Sequence, residues 1–390
     1  MTMQQAAATA TATILLAIGL AGSLTSQSTT WVVDANNGPG THFTDLPPAV
    51  AAAAPGDIVV VRYVDPLITA YTAPTIDKAL TVVSEGGRAG LVGPLVVQNL
   101  PAGEDVVLRG LRLAPFATAT GTTGSSRFVI WFNDGSVHLQ DCVRDAVATM
   151  FSPGSQISNS SLVTFTQCSL PTIRTDALRI DSCGEVVLQD SAFMASNNAS
   201  LDPAISVQDT RLVLQDSTTA GRFNSFTGGG PAISSCSATI EVAGASASIA
   251  AVGVDPIADC LGSSTTVTVA PGATVNSSLA VPGPVFGLGG LVSASGQLDL
   301  DVYGHSFGVG VLSFGLPTAT PVPLWDATYY LDISSVVVFD ALLLDVDGRA
   351  SWQAQLPAGL ASGTTLWLQA ASIAPGTPFQ LTTPAVVTTP

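Results

Sequence analysis

Short strings in which apolar and polar residues alternate recur through the middle of this chain. The clearest copies read VVLRGLRL from Val106, VHLQDC from Val137, VTFTQCSL from Val163, VVLQDSAF from Val186 and LVLQDST from Leu212. Apolar side chains at every second position, bounded by Gly, Asn, Asp or Ser, predict short β-strands. No segment has the 3.6-residue period that an amphipathic helix requires.

These strings are evenly spaced. Their third position is occupied by Leu108, Leu139, Phe165, Leu188 and Leu214, and weaker copies add Val82, Ile240 and Val267, at spacings of 26, 31, 26, 23, 26, 26 and 27 residues. A second series keeps step with the first at Ala177-Leu-Arg-Ile, Pro203-Ala-Ile-Ser, Pro231-Ala-Ile-Ser and Pro256-Ile-Ala. A unit of this size cannot bury its own apolar face, so it must stack on its neighbours. The predicted fold is all-β, a right-handed parallel β-helix of about eight or nine rungs over residues 29–282.

The repeat fades after Pro282. Between Gly283 and Pro390 the chain has one basic residue, Arg349, and seven aspartates, with alternating runs at 297–302, 328–333, 350–356 and 365–370. This pattern predicts a small antiparallel β-sandwich over residues 283–390, joined to the β-helix by a linker at 281–290.

Two segments resemble parts of known secreted proteins. The segment Thr29–Arg62, TTWVVDANNGPGTHFTDLPPAVAAAAPGDIVVVR, resembles the opening of right-handed β-helix proteins of the pectin-lyase-like superfamily. The resemblance implies an initial strand, a Gly-rich turn, a short capping helix with Thr44 or Asp45 as its N-cap, and a Pro-Gly-Asp turn into the first coil. The segment Leu342–Ala370 resembles a C-terminal module of secreted bacterial proteins, to which no activity attaches.

The N-terminal segment predicts a cellular location, and the charge excludes nucleic acids and anionic membranes as partners. Residues 1–28 contain an apolar core near Ile14–Leu20 and predict a signal peptide, hence a secreted or cell-surface bacterial protein. No other stretch offers about 20 apolar residues, so no transmembrane segment is expected in the mature chain. With 12 basic and 28 acidic residues and a net charge of −16, the chain lacks the basic patches that nucleic acids and anionic membranes require.

Three aspartates share one phase of the repeat and form the candidate metal site. Asp141, Asp190 and Asp216 would lie in one column about 4.8 Å apart per rung, with Gln167 in the rung between. Such a column could attract Ca²⁺ or raise a carboxylate pKa. The favoured interpretation is structural, because Asp at a strand end makes a corner by bonding to nearby backbone.

A second cluster, Arg174, Asp176, Arg179 and Asp181, is the candidate catalytic site, with Arg144 and Asp145 one rung before it. Polysaccharide lyases on this fold need a cation held by acids and an arginine base, and glycosidases need paired carboxylates. The sequence contains no recognisable motif of either class, so a solvated ion-pair patch is the favoured interpretation. Its histidines, His42, His138 and His305, are too far apart in the repeat to form a metal or triad site.

The five cysteines leave alternatives open. Cys142 and Cys168 share a repeat phase, and Cys236 and Cys260 are 24 residues apart, so each pair could lie on adjacent rungs within disulfide reach. They could equally be small apolar residues of a stacked ladder, and Cys183 has no evident partner.

Fold alone does not supply a function. The first hypothesis is a non-catalytic extracellular protein, structural or binding a glycan or a surface protein, with no cofactor other than Ca²⁺ as a candidate. The alternative is a polysaccharide lyase or glycoside hydrolase acting in the groove of the β-helix. The acidic charge disfavours acidic substrates, so neutral glycans or protein partners fit better.

Overall fold

A computed structural model describes residues 28–389 except 66–68, 114–125, 146–153, 173–175, 196–201, 222, 225–227, 252–253, 261–262, 293–295, 316, 325–326, 332–333, 357–362, 378 and 383. The predicted signal peptide lies outside these residues apart from Ser28. No helix among the described residues is long and apolar enough to cross a membrane.

The first part of the chain is the predicted all-β solenoid, a right-handed parallel β-helix of about eight turns. Its strands, numbered along the chain, stack in parallel on three faces that each rung visits in the order 1, 2, 3. Face 1 contains β4 (Thr75–Ile76), β7 (Leu95–Gln98), the first parts of β10 (Phe128–Gln140) and β12 (Ser155–Thr166), β14 (Leu178–Asp181), β17 (Ile205–Gln208), β22 (Ile233–Cys236) and β25 (Ile257–Asp259).

Face 2 contains β1 (Thr30–Val33), β2 (Asp57–Arg62), β5 (Leu80–Glu85), β8 (Asp105–Arg109), the second parts of β10 and β12, β15 (Glu185–Gln189), β18 (Arg211–Gln215), β23 (Thr239–Ala243), β26 (Thr266–Val269) and β28 (Ala280–Pro282). Face 3 contains β3 (Tyr71–Thr72), β6 (Ala89–Val92), β9 (Leu111–Leu113), β11 (Val143–Arg144), β13 (Ser169–Thr172), β16 (Ala192–Ala195), β19 (Thr218–Ala220), β24 (Ser248–Ala250) and β27 (Thr274–Val275). A small hairpin, β20 (Phe223–Asn224) with β21 (Gly228–Gly229), lies between two rungs.

The predicted column of stacked side chains is confirmed over most of its length. It runs through the core of face 2 from Val82 to Leu214, and the second series stacks on face 1 as Leu178, Ile205, Ile233 and Ile257. The last members of the first series were wrong by two residues. Leu214 pairs with Val242, whereas Ile240 pairs with Leu212. A shift of two residues keeps the same side of a strand facing the core, so apolar pattern alone did not separate the registers.

The start of the solenoid is capped as predicted. Strand β1 pairs with β2, and a short helix, α1 (Leu46–Ala52), packs Leu46, Ala49 and Val50 against the core. Asp45, rather than Thr44, is the N-cap, because its carboxylate accepts the Leu46 N–H at 2.8 Å. The helix covers apolar surface that an open solenoid end would expose to water.

Small polar side chains stack inside the corners, and two of the cysteines occupy the same kind of place. Ser191 donates its hydroxyl to the Gln189 carbonyl at 2.7 Å and accepts the Cys168 N–H at 2.9 Å, and Ser217 repeats this arrangement one rung later. The Cys168 thiol occupies the same place and approaches the Thr166 carbonyl at 3.5 Å. Cys142, Cys168 and Cys183 are free and buried, so ladder packing describes the first pair, whereas Cys236 and Cys260 form a disulfide between adjacent rungs.

The C-terminal part folds into antiparallel sheets. One sheet contains β29 (Gly287–Val292), β30 (Gln297–Tyr303) and β35 (Arg349–Gln355); the other contains β31 (Val309–Gly315), β34 (Val337–Leu343), β36 (Thr365–Ile373), β37 (Gln380–Leu381) and β38 (Ala385–Thr388), beside a hairpin of β32 (Pro317–Leu324) and β33 (Ala327–Leu331). Leu300 and Val302 pack against Leu312 and Leu368 between the sheets. We call residues 283–390 the C-terminal module. The predicted linker was wrong in its second half, because β29 pairs with β30 there.

The C-terminal module packs on the outer side of face 2. The Gln140 amide donates to the Val386 carbonyl at 2.9 Å, the ring of His138 meets that of Trp367 edge-on at 5.0 Å, and the Tyr303 hydroxyl donates to Asp216. Face 2 is therefore buried on both sides, as parallel sheets in proteins usually are.

We expect the disulfide to stabilise the last rungs. Replacing both Cys236 and Cys260 by Ser should lower the free energy of unfolding by about 3 kcal/mol, because the cross-link restricts the unfolded chain. Urea unfolding without reductant measures this loss. Cys168→Ser is the matched control: Ser already occupies its ladder place in two neighbouring rungs, so the change should be within about 1 kcal/mol. Equal losses in both variants would contradict this account.

His138 predicts a pH dependence of stability. Burial lowers the pKa of His138 to about 3, and its Nδ1 lies 2.9 Å from the Thr164 hydroxyl. The unfolded chain binds a proton near the usual histidine pKa of about 6.5 and the folded chain does not, so His138 lowers stability as pH falls from about 6.5 towards 3. In His138→Gln this component should disappear, making stability fall less steeply, by up to about 1.4 kcal/mol per pH unit. Equal slopes between pH 6 and 4 would refute the assignment.

Candidate functional site

The C-terminal module leaves little of face 2 available to a ligand. The outward side chains Val107, Val187 and Val213 are at most 5% exposed, and Tyr330 packs on the last two and on Leu162. At one edge of the contact, Arg211 forms ion pairs with Glu185 at 2.5 Å and with Glu241 at 2.9 Å. A groove for a polysaccharide on this face would require the module to move away.

Face 1 is covered unevenly in the described part of the chain: Val129 and Ser158 are 2% and 9% exposed, although their side chains alternate away from the core. Two adjacent columns of side chains point outward along it: Gln98, Trp131, Ser158, Asp181 and Gln208 in one, and Val96, Val129, Gln156, Arg179, Ser206 and Ser234 in the other. Arg179 and Gln208 are exposed. The columns bring amide, hydroxyl, carboxylate and guanidinium groups together on a parallel sheet, with rungs about 4.8 Å apart.

The outward side of face 3 is chemically different. One column of outward residues runs through Arg112, Val143, Ser169, Ala192, Thr218 and Ser248, and the other contains Pro171, Met194, Ala220 and Ala250. The polar groups of these columns are the Arg112 guanidinium, which pairs with Asp145, and three hydroxyls, so the columns offer no carboxamide and no carboxylate. Face 1 is therefore the candidate functional site of the β-helix.

Three of the four candidate catalytic residues lie on or beside face 1. Arg179 and Asp181 point outward from β14, and Asp176 precedes this strand and accepts the Ser206 hydroxyl at 2.5 Å. Ser182 donates to Asp181 at 2.9 Å. Arg174 lies outside the described residues.

Asp176 has the most altered environment of this group. Burial raises its pKa, the neighbouring Asp202 carboxylate adds to the effect, and the Ser206 hydrogen bond and Arg179 oppose it. Two neighbouring carboxylates of which one has a raised pKa can act as a general acid and a general base. Asp202 was not among the candidates predicted from the sequence. Its position could have been noticed, because Asp202 precedes the stacked Ile205 much as Asp176 precedes Leu178 one rung earlier.

The residues predicted one rung earlier do not join this group. Arg144 is 3% exposed, donates from Nε to the Ser126 carbonyl at 3.1 Å, and has its pKa lowered to about 10 by burial and by Arg127. Asp145 pairs instead with Arg112 at 2.9 Å. Arg144 is the last residue of β11 on face 3 and Asp145 follows it, so neither residue lies on face 1.

The aspartate column forms, and its members are corner residues. Asp141, Gln167, Asp190 and Asp216 have φ of 50°, 55°, 45° and 45°, the left-handed conformation that Asp and Asn tolerate better than most residues. In two neighbouring rungs glycine takes the same place, as Gly110 and Gly244.

Each carboxylate of the column has a different environment. Asp141 pairs with Arg88 at 2.5 Å, and Asp216 accepts Ser246 and Tyr303 and lies 3.9 Å from Arg349. Desolvation, followed by repulsion from Asp216 and Asp301, raises the pKa of Asp190 to about 6 although the residue keeps solvent contact. No group of three or more potential metal ligands occurs within the described part of the chain.

Two features were missed in the sequence. The strings Val106-Val107-Leu108, Val186-Val187-Leu188 and Leu212-Val213-Leu214 contain three successive apolar residues where a half-exposed strand would alternate, and this signal predicts cover on both sides of face 2. The adjacent aromatic residues Trp131 and Phe132, at the corner between faces 1 and 2, were also passed over.

Comparisons with known proteins add little. No family model and no curated protein matches the sequence. A crystal structure of pectin methylesterase in complex with a hexasaccharide matches at 10% identity and a TM-score of 0.32, covering 66% of this chain and 94% of that one. At this level of similarity no activity or ligand transfers, so function must be argued from the site itself.

Proposed function

We propose that this chain is an extracellular, non-catalytic β-helix protein that binds a glycan on the outer side of face 1. The observation that carries the proposal is that face 1 presents an ordered array of hydrogen-bonding side chains, while the C-terminal module covers face 2. Sugar hydroxyls both donate and accept hydrogen bonds, and the array supplies acceptors and donors in Gln156, Arg179, Asp181 and Gln208.

Two further observations support the location and the ligand class. The disulfide between Cys236 and Cys260 is of the kind that persists in oxidising, extracellular compartments. The net charge of −16 repels polyanions, so a neutral glycan is the favoured ligand.

A polysaccharide panel tests the proposal. The chain from Thr29 to Pro390 is screened with and without Ca²⁺, and both retained binding and new chain ends are recorded. Arg179→Ala should weaken binding about tenfold, because a hydrogen bond from a charged group is lost. Arg88→Ala, an exposed arginine paired with Asp141 at another corner, is the matched control and should bind as the wild type does. Wild-type binding to no polysaccharide, or equal binding by both variants, would reject the proposal.

A second candidate function rests on Asp176. Its raised pKa, the nearby Asp202 and the exposed Arg179 are the elements from which a glycosidase or lyase site is built. New chain ends from the wild type that vanish in Asp176→Asn, with an unchanged urea midpoint, would establish catalysis. Glycan binding without new ends in either protein would decide for the first function.

A further inference from the structure

Phe132 occupies a costly place in the fold. It follows the outward Trp131 at the corner between faces 1 and 2, where its backbone has φ 54° and its side chain is 58% exposed. A bulky residue in the left-handed region is a genuine outlier, and an exposed aromatic ring gains nothing from burial that offsets the strain.

The other rungs show what this corner ordinarily requires. The corresponding corner residues are Asn99, Asn159, Ser182, Asp209 and Ser237, with φ between 45° and 57°. These small polar residues suit the conformation because short polar side chains can bond to local backbone. One rung therefore departs from the pattern of five.

Among the described residues no buried cluster accounts for either aromatic ring, and Trp131 is partly buried whereas Phe132 is exposed. Trp131 and Phe132 are absent from the buried clusters and from the partly buried residues that pack against them. The Trp131 indole N–H is shielded from solvent and has no acceptor, although a shielded indole usually finds one.

Carboxamides surround the pair. Gln98 is paired in register with Trp131 on the preceding rung, and Gln156 lies on the following rung. Asn99 and Asn159 are the exposed corner residues on either side of Phe132. We call Trp131, Phe132, Gln98, Asn99 and Asn159 the aromatic corner.

We propose that the aromatic corner is the saccharide-stacking platform of face 1 and that it takes a neutral polysaccharide. This inference rests on the function proposed above and names where a sugar ring sits. The C–H face of a sugar ring packs on an aromatic ring, while the flanking carboxamides donate to and accept from its hydroxyls. The platform itself has no charged member, which suits an uncharged ligand.

The platform lies in line with the charged part of the array. Trp131, Ser158 and Asp181 belong to one column, so Asp181 is two rungs, about 10 Å, from the indole. A single chain lying along the solenoid axis reaches both Trp131 and the Arg179–Asp181 region.

The test uses affinity electrophoresis of the full chain in gels containing soluble β-glucan, mannan or xyloglucan, with polygalacturonate as the anionic probe. Phe132→Asn should weaken retardation by the neutral polymer at least about fivefold, because the stacking face is lost. The urea midpoint should stay the same or rise, because Asn suits this corner. Phe132→Tyr should retain binding.

Phe307→Asn is the matched control, since Phe307 also has a positive φ, of 56°, and is 67% exposed, but belongs to the C-terminal module. It should bind as the wild type does. If Phe132→Asn also binds like the wild type while Arg179→Ala does not, the platform is refuted and the glycan-binding function stands. Retardation by polygalacturonate alone would show that the ligand is not a neutral polysaccharide. If no polymer retards the wild type, both the platform and the proposed glycan-binding function are rejected.

Discussion

The structure depends on covering both sides of one parallel sheet. Parallel sheets in proteins are usually covered on both sides. Face 2 has apolar residues on its outer side as well as its inner side, and the outer ones include Val107, Val187 and Val213. The C-terminal module supplies the outer cover through Trp367, Tyr330 and the strand that contains Val386. The β-helix and the module are thus packed together along face 2, and the glycan that we propose as a ligand is assigned to face 1, outside this contact.

The sequence predicted the solenoid because stacking is a strict constraint. Each rung must place an apolar side chain directly over the one before it, so similar strings recur at intervals of 23–31 residues. The same reasoning failed at Ile240, where two registers differing by two residues bury equally suitable side chains. Only the contacts of the whole rung, which place Val242 over Leu214, distinguish them.

The candidate site was predicted less completely for a different physical reason. Chemistry-bearing residues can be found from their types, as Asp176, Arg179 and Asp181 were, but their surroundings depend on which face the rest of the chain covers. The docking of the C-terminal module joins residues far apart in sequence, such as His138 and Trp367, and no local pattern encodes that pairing. The triple apolar strings indicated that face 2 needed a cover without indicating what supplies it.

The corners separate structural requirements from functional ones. At the corner after face 2, Asp141, Asp190 and Asp216 adopt the conformation that aspartate tolerates, so their repetition follows from backbone geometry, and the carboxylate environments differ with what each rung happens to meet. At the corner after face 1, the same reasoning has the opposite result. The left-handed backbone conformation favours Asn, Asp or Ser there. Phe132 is strained in this conformation and does not belong to the hydrophobic core. A strained residue persists only where the surrounding structure holds it, and the rungs before and after Phe132 do so by hydrogen bonds on both sides of β10. The saccharide platform that we propose gives Phe132 a contact outside the chain and hence a reason for a strained, exposed residue at this corner.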